Sequence, residues 1–339
     1  MRKDDLIYLK CPACKGDLVI RDIQREHDGR IETGTLGCVI CGQEYPILRH
    51  VPRFVPMENY ASSFGLEWSL HARTQYDSYT GIHLSETRFF EETKWPRDLT
   101  GQMILEAGSG SGRFTEPAAS TGAKIISMDY SYAVDANYAS NGQRDNVLIV
   151  QGDIYRMPFP ENCFDKIFCF GVLQHTPHVK EAFMTLPRYL KPGGSLVIDV
   201  YIRETGVIGT LKQLLKTKYW VRPLTTRLPP EGLYRWCQWY VTHMWPVATL
   251  INRCIPRAGR KINHLLLVAD YRGKFDLPEA ILKEWAVLDT FDKLAPAYDS
   301  PQTIQTIRSW FDEAGMSDVE VHRGYNGVEG RGTKHGSSI

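Results

Sequence analysis

Five short apolar runs stand out along the middle of the chain, with longer mixed segments between them. They are Met103 to Ala107, Ala123 to Asp129, Asn146 to Ile154, Phe164 to Gly171 and Ser195 to Tyr201. Runs of this length predict strands, and the intervening segments are long enough for helices. Their alternation predicts a parallel sheet built from right-handed crossovers. The core resumes late, with a helix predicted over Thr303 to Met316 and a strand over Asp318 to His322. Residues 203–300 therefore read as an insertion. Within it Leu233, Trp236, Trp239, Tyr240, His243, Met244 and Val247 recur at helical spacing as one broad apolar–aromatic stripe.

The division that follows is 1–56, a linker and aromatic segment at 57–100, core at 101–202, a helical insertion at 203–300, core again at 301–330, and a flexible tail at 331–339. Residues 60–95 either close over a ligand or pack on the sheet, with Arg73, Gln75 and Tyr79 as the residues that would touch one. Composition is ordinary for a soluble globular protein, at 43% apolar and 23% charged. The net charge of +1 hides a segregation, since Arg203 to Lys274 carries 13 Lys or Arg against three acids. That basic, aromatic block is compatible with a plain lid or with a helix resting on an anionic membrane surface. Arg235, Gln238, His243 and Pro246 interrupt the stripe and argue against a membrane span.

Cys11-Pro12-Ala13-Cys14 and Cys38-Val39-Ile40-Cys41 are two C-x2-C pairs 23 residues apart. Two such turns complete a tetrahedral four-thiolate site for a structural zinc ion. Disulfides or unrelated thiols are the alternatives. The charged opening Met1-Arg2-Lys3-Asp4-Asp5 leads to the expectation of a reducing, cytoplasmic setting, which disfavours disulfides.

The densest chemical signal is Leu105-Glu106-Ala107-Gly108-Ser109-Gly110-Ser111-Gly112-Arg113. A dinucleotide fingerprint needs its third glycine where Arg113 stands, so the pyrophosphate reading fails. What remains is E-x-G-x-G-x-G, whose carboxylate suits a ligand bearing an ammonium group. Asp129 follows about 20 residues past the first glycine, at a strand end where a carboxylate can hold both ribose hydroxyls. This stretch closely resembles the first motif of class I S-adenosylmethionine-dependent methyltransferases. The resemblance implies a Rossmann-like fold and S-adenosylmethionine as cofactor. It places Glu106, Gly108, Ser109, Gly110 and Gly112 around the methionine end, and Asp129 and Tyr130 at the ribose. Asp153 and Ile154 fall beside the adenine, and Gly171 and Val172 close the set. Residues 5–56 resemble the small zinc ribbons of the tRNA-methyltransferase-activator type. Phe64-Gly65-Leu66-Glu67-Trp68 and Leu288-Asp289-Thr290-Phe291-Asp292 are similar to segments of bacterial methyltransferases with an N-terminal zinc ribbon.

The expected activity is methyl transfer to a small-molecule, lipid or glycan acceptor, at oxygen. His175 is the candidate base because a neutral imidazole works near pH 7; His71, His83 and His243 are weaker candidates. Asp199 and Tyr201 would line the acceptor pocket. The alternative is RNA base methylation (rRNA or tRNA), because large-subunit rRNA guanine methyltransferases also join a zinc ribbon to this fold. Against it, the N/D-P-P-Y/F motif that holds a base amine is missing. A non-catalytic scaffold is the third class. Nothing in the sequence bears on the oligomeric state.

Overall fold

The computed structural model describes residues 1–56 and 59–336. The front of the chain is an antiparallel sheet of β1 (Leu18–His27), β2 (Arg30–Cys38), β3 (Glu44–Leu48) and β4 (Val51–Pro52), paired in that order. Three helices follow: α1 (Ser62–Leu70), α2 (Asp77–Thr80) and α3 (Leu84–Thr93). The core then runs β5 (Met103–Ala107), α4 (Thr115–Ser120), β6 (Lys124–Asp129), α5 (Val134–Asn141), β7 (Val147–Gln151), β8 (Phe164–Phe170), α6 (Val179–Tyr189) and β9 (Leu190–Val200). Five helices form the insertion: α7 (Gly206–Leu214), α8 (Lys218–Thr225), α9 (Pro230–Cys254), α10 (Gly259–Leu265) and α11 (Glu279–Leu294). The chain closes with α12 (Ile304–Glu313), β10 (Met316–Arg323) and β11 (Val328–Lys334).

The seven core strands lie in the order β10-β11-β9-β8-β5-β6-β7. This is a Rossmann-like sheet, parallel from β9 to β7, with β11 and β10 added antiparallel at one edge. Both faces of the parallel strands are buried, which is why they read as apolar runs rather than alternations. Leu105, Ile126, Leu148 and Ile167 point to one face, while Ile104, Ile125, Val147 and Phe168 point to the other. Successive strands are added on one side of β5 as far as β7 and on the other side from β8 onward, so the carboxyl ends of β5 and β8 flank the crevice where open α/β sheets take ligands.

The cysteine-rich sheet shares the core rather than standing apart. Leu9, Ile31, Leu36 and Phe54 belong to the same apolar cluster as Phe159, Phe164 and Leu190. At the junction Arg53 Nη1 donates to Gln151 Oε1 at 3.0 Å, and the same guanidinium pairs with Asp135. Gln151 Nε2 in turn donates to the carbonyl of Tyr130 at 3.0 Å, so the front sheet is tied to the loop after β6.

Two expectations change. The sequence predicts a flexible tail from 331, but residues 331–333 pair with β9 and Lys334 with β10, completing β11. The glycines there are packing positions: a Cβ on Gly330 would stand 2.7 Å from Phe311 Cε2, and one on Gly332 2.9 Å from Phe311 Cδ1. Met57, Glu58 and 337–339 lie outside the described residues. The single stripe expected along the insertion is really two. Leu233, Cys237, Val241, Trp245 and Ala248 are buried, whereas Trp236, Trp239 and Val247 are exposed. A 25-residue helix with apolar residues on two faces presents one to its own core and leaves the other uncovered.

Candidate active site

A cavity of about 680 Å³ opens at the carboxyl ends of the parallel strands. The turn after β5 forms its floor. Gly108, Gly110 and Gly112 all have positive φ, at 88°, 52° and 90°. Side chains are excluded at the first for a second reason, since a Cβ on Gly108 would lie 2.2 Å from Val172 Cγ2. The turn is held from below by Asp129. Its Oδ2 accepts from Gly110 N at 2.7 Å, and its Oδ1 accepts from Ser131 N and Oγ at 2.8 and 2.7 Å.

Most of the expected contact residues meet at this cavity. Gly108, Ser109 and Gly110 line it, as do Asp129 and Tyr130 at the end of β6. Ile154 comes from the loop after β7, and Gly171, Val172 and His175 from the turn after β8. Three expected residues are not on its wall. Glu106 shares a sheet face with Ile104 and points under α4 and α5. There its carboxylate accepts from Ser127 Oγ at 2.7 Å and from the Thr115 hydroxyl. Gly112 backs onto α5, with its carbonyl accepting from Asn141 Nδ2 at 3.1 Å. Asp153 turns back on its own loop and accepts from Tyr155 N at 2.9 Å.

Residues 105–198 match the family model described as a methyltransferase domain. The core is a methyltransferase domain. The chain is 28% identical over 202 residues to the biotin biosynthesis bifunctional protein BioHC of Cellvibrio japonicus, covering 58% of this chain and 38% of that protein. It is 34% identical over 99 residues to the sterol 24-C-methyltransferase of Pneumocystis carinii, covering 28% and 26%. With the demethylmenaquinone methyltransferase of Renibacterium salmoninarum the identity is 28% over 107 residues, covering 32% and 44%. The chain thus spans less than half the length of each of these curated relatives.

His175 lies at the boundary between the methyltransferase domain and the insertion. Its Nδ1 is 2.9 Å from the Tyr298 carbonyl. A carbonyl only accepts, so Nδ1 carries the proton and Nε2 keeps its lone pair. Burial holds its pKa below the ordinary histidine value, so the ring is neutral at pH 7. Phe64 and Tyr201 flank it, with ring centroids 5.1 and 5.4 Å away. The weaker histidines do not reach the wall. His71 is fixed between Thr74 and Tyr234, while His83 and His243 are exposed.

The far wall belongs to the helices outside the methyltransferase domain; the sequence points to Gln75 and Tyr201 on it, but gives no role to Glu67, Asp289 or Asp292. Glu67 of α1 is buried on the cavity wall, and its Oε1 has no hydrogen-bond partner among the described residues. Burial, with Asp292 and Asp289 nearby, drives its pKa well up. Asp289 and Asp292 of α11 face it from the insertion, the former bonded to the Tyr271 hydroxyl and the latter to Tyr201 Oη at 3.2 Å. Burial pushes Asp289 up to about 6. Gln75 bridges the halves, donating to Asp289 Oδ1 at 3.3 Å and accepting from Arg113 Nη1 at 2.7 Å. Of the other residues expected here, Tyr201 lines the cavity and Asp199 is buried behind it against Arg88. The sequence signal for the acids of this wall is the pair of segments around Glu67 and Asp289, more than 200 positions apart.

Away from the cavity, the sulfurs of Cys11, Cys14, Cys38 and Cys41 lie within 4.8 Å of one another. Cys11 Sγ is 3.6 Å from Cys41 Sγ, and Cys14 Sγ is 3.4 Å from Cys38 Sγ. The N–H groups of Ile40 and Cys41 point at Cys38 Sγ from 3.4 and 3.5 Å, which favours its thiolate.

Burial raises the Glu106 carboxyl to about 7, against the pull of Thr115 and Ser127. The folded state therefore binds this proton more tightly than the unfolded chain, and ionisation costs stability as pH rises from about 4.5 to about 7. Glu106→Gln should remove that loss. Its advantage in denaturant unfolding should be small at pH 4.5 and grow to on the order of 3 kcal/mol at pH 8. A difference that does not change with pH would show that the carboxyl is not titrating in this range.

Proposed function

We propose that the chain transfers the methyl group of S-adenosylmethionine to a hydroxyl of a small-molecule or lipid acceptor. The observation that carries this reading is one cavity with two chemically different halves that meet at His175. Strand ends of a methyltransferase domain form one half. The insertion and α1 form the other, where the carboxyl groups of Glu67, Asp289 and Asp292 and the hydroxyls of Tyr201 and Tyr271 are available to a polar acceptor group. Relatives named for a sterol and for demethylmenaquinone support an apolar acceptor.

The residues present fit the cofactor. An ionised carboxylate offers about four lone-pair positions. Three donors already occupy Asp129, which leaves Oδ2 with room for one ribose hydroxyl, and a turn of the Ser131 hydroxyl frees a second position. Arg113 is the cation beside the glycine turn, suited to the carboxylate of a methionine end. When bound, S-adenosylmethionine supplies an electrophilic methyl group on a sulfonium. The chain's part is positioning and proton removal. Tyr201 and Phe64 hold the imidazole edge, and the Tyr298 carbonyl fixes its tautomer. Nε2 would take the acceptor's hydroxyl proton as the methyl group leaves the sulfonium for that oxygen and the sulfur departs as a neutral thioether.

The four thiolates hold a structural zinc ion. Tetrahedral zinc with Zn–S near 2.3 Å needs sulfurs about 3.8 Å apart, which the cluster approaches. Because the front sheet shares its core with the methyltransferase domain, zinc loss should lower the stability of the whole chain. Cys38→Ser should reduce zinc content by elemental analysis and shift a single thermal transition downward. Zinc-free wild-type protein would contradict the assignment.

Calorimetry tests the cofactor half. Wild-type protein should bind S-adenosylmethionine, and Asp129→Ala, checked for an unchanged circular dichroism spectrum, should bind roughly 10- to 100-fold more weakly for the loss of a hydrogen bond to a charged group. His175→Ala should keep the wild-type dissociation constant while losing on the order of 10²–10⁴ in turnover. Equal binding by Asp129→Ala would overturn the site.

A further inference from the structure

The insertion leaves an unusual amount of apolar surface uncovered. Thirteen large apolar residues between Val207 and Leu266 are exposed, against eight in the rest of the described chain. They recur at one-turn spacing. Val207, Leu211 and Leu215 follow one another along α7 and its end, Trp220, Leu224 and Leu228 along α8 and its end, and Trp236, Trp239, Val247 and Leu250 along α9. None of these helices is long and apolar enough to cross a membrane.

Contacts join these stripes to one another and to the cavity. Trp236 stacks on Tyr240, with ring centroids 4.9 Å apart. Tyr240 Oη donates to the Leu266 carbonyl at 2.6 Å, and Thr217 Oγ1 donates to the neighbouring Leu265 carbonyl at 2.6 Å. Leu265 and Leu266 are themselves exposed, and both Leu265 and Thr217 line the cavity. The apolar face therefore runs up to the cavity rim. It is also basic. Residues 205–266 hold ten Lys or Arg and one acid, Glu231. Arg227, Arg235, Arg253, Arg257, Arg260 and Lys261 among them are exposed.

We infer that this face docks on an anionic lipid bilayer, and that the cavity takes a lipid-tailed acceptor from that layer without its passing through water. Exposed Trp and Leu enter the boundary between headgroups and acyl chains, while flanking Arg and Lys pair with lipid phosphates. A tail leaving the membrane would pass Leu265 and Leu266, and its polar head would end between Glu67, Asp289 and His175. The acceptor part rests on the proposed methyltransferase reading; the docking part does not.

The test uses the full chain with phosphatidylcholine vesicles, prepared with and without phosphatidylglycerol, in sedimentation at low and high salt. Cofactor binding is measured by calorimetry on the same preparations. The wild-type chain should sediment with the anionic vesicles alone and be released by salt. W239S/L250S should stay in the supernatant. R253Q/R257Q should bind on the order of 30-fold more weakly, at about 1 kcal/mol per basic residue near such a surface. Both variants should bind S-adenosylmethionine as the wild type does. Adding anionic vesicles that carry an alkylated phenol should permit label transfer from S-adenosylmethionine that W239S/L250S fails to support. No sedimentation of the wild type, or unchanged sedimentation of W239S/L250S, overturns the docking surface. So does a wild-type dimer that W239S/L250S converts to a monomer without either binding vesicles, or retention on RNA in place of vesicles. Vesicle binding without cofactor binding would leave the surface standing and remove the methyltransferase reading.

Discussion

The carboxylate of Asp129 joins the two loops on which the site depends. One oxygen takes the N–H of Gly110 and the other takes Ser131, so the glycine turn after β5 and the bend after β6 cannot move apart without breaking a partly buried charge-assisted contact. Burial raises the pKa of this group, and those same hydrogen bonds oppose the shift. The bend is secured again from the front of the chain, because Asn59 Nδ2 and Gln151 Nε2 both donate to the Tyr130 carbonyl. Gln151 is itself held by Arg53. A line of polar contacts thus runs from the cysteine-rich sheet to the floor of the cavity.

This arrangement changes how the front sheet should be regarded. A zinc ribbon on a tether would leave the methyltransferase domain indifferent to its folding. Here the two share one apolar cluster, and the front sheet's last residues pair with β7 through Arg53 and Gln151. Helix α1 continues the theme on the other side of the cavity, with its Phe64 and Trp68, and Tyr60 just before it, on the wall. The segment between the front sheet and the core therefore covers the site through α1, while α3 packs Phe89 on Phe168 of the sheet.

The strands were legible because both faces of a parallel sheet are buried, and the runs of β5, β6 and β8 end where a glycine or an acid begins. Residues whose backbone position matters, such as Gly108 and Asp129, were legible for the same reason. Glu106 was not. Strand geometry turns it to the face of Ile104, and its partners Thr115 and Ser127 lie in different elements that no local pattern connects to it. Asp153 forms a local turn that competes with any ligand for its oxygens. The acceptor wall was the least legible part, since Glu67 and Asp289 meet only after the insertion folds back along the bridge between Ile202 and Gln302. The stripe on α9 was found as a stripe, but periodicity alone does not say that its Trp236 and Trp239 stay outside while Cys237 and Val241 go in.

The central claim is that one cavity holds donor and acceptor on opposite walls, with His175 between them. A crystal structure with S-adenosylhomocysteine bound tests it most directly. The account predicts the ribose on Asp129, the adenine beside Ile154, and the sulfur facing the chamber bounded by His175, Glu67 and Asp289. A ligand bound elsewhere, or one whose sulfur faces away from His175, would contradict it.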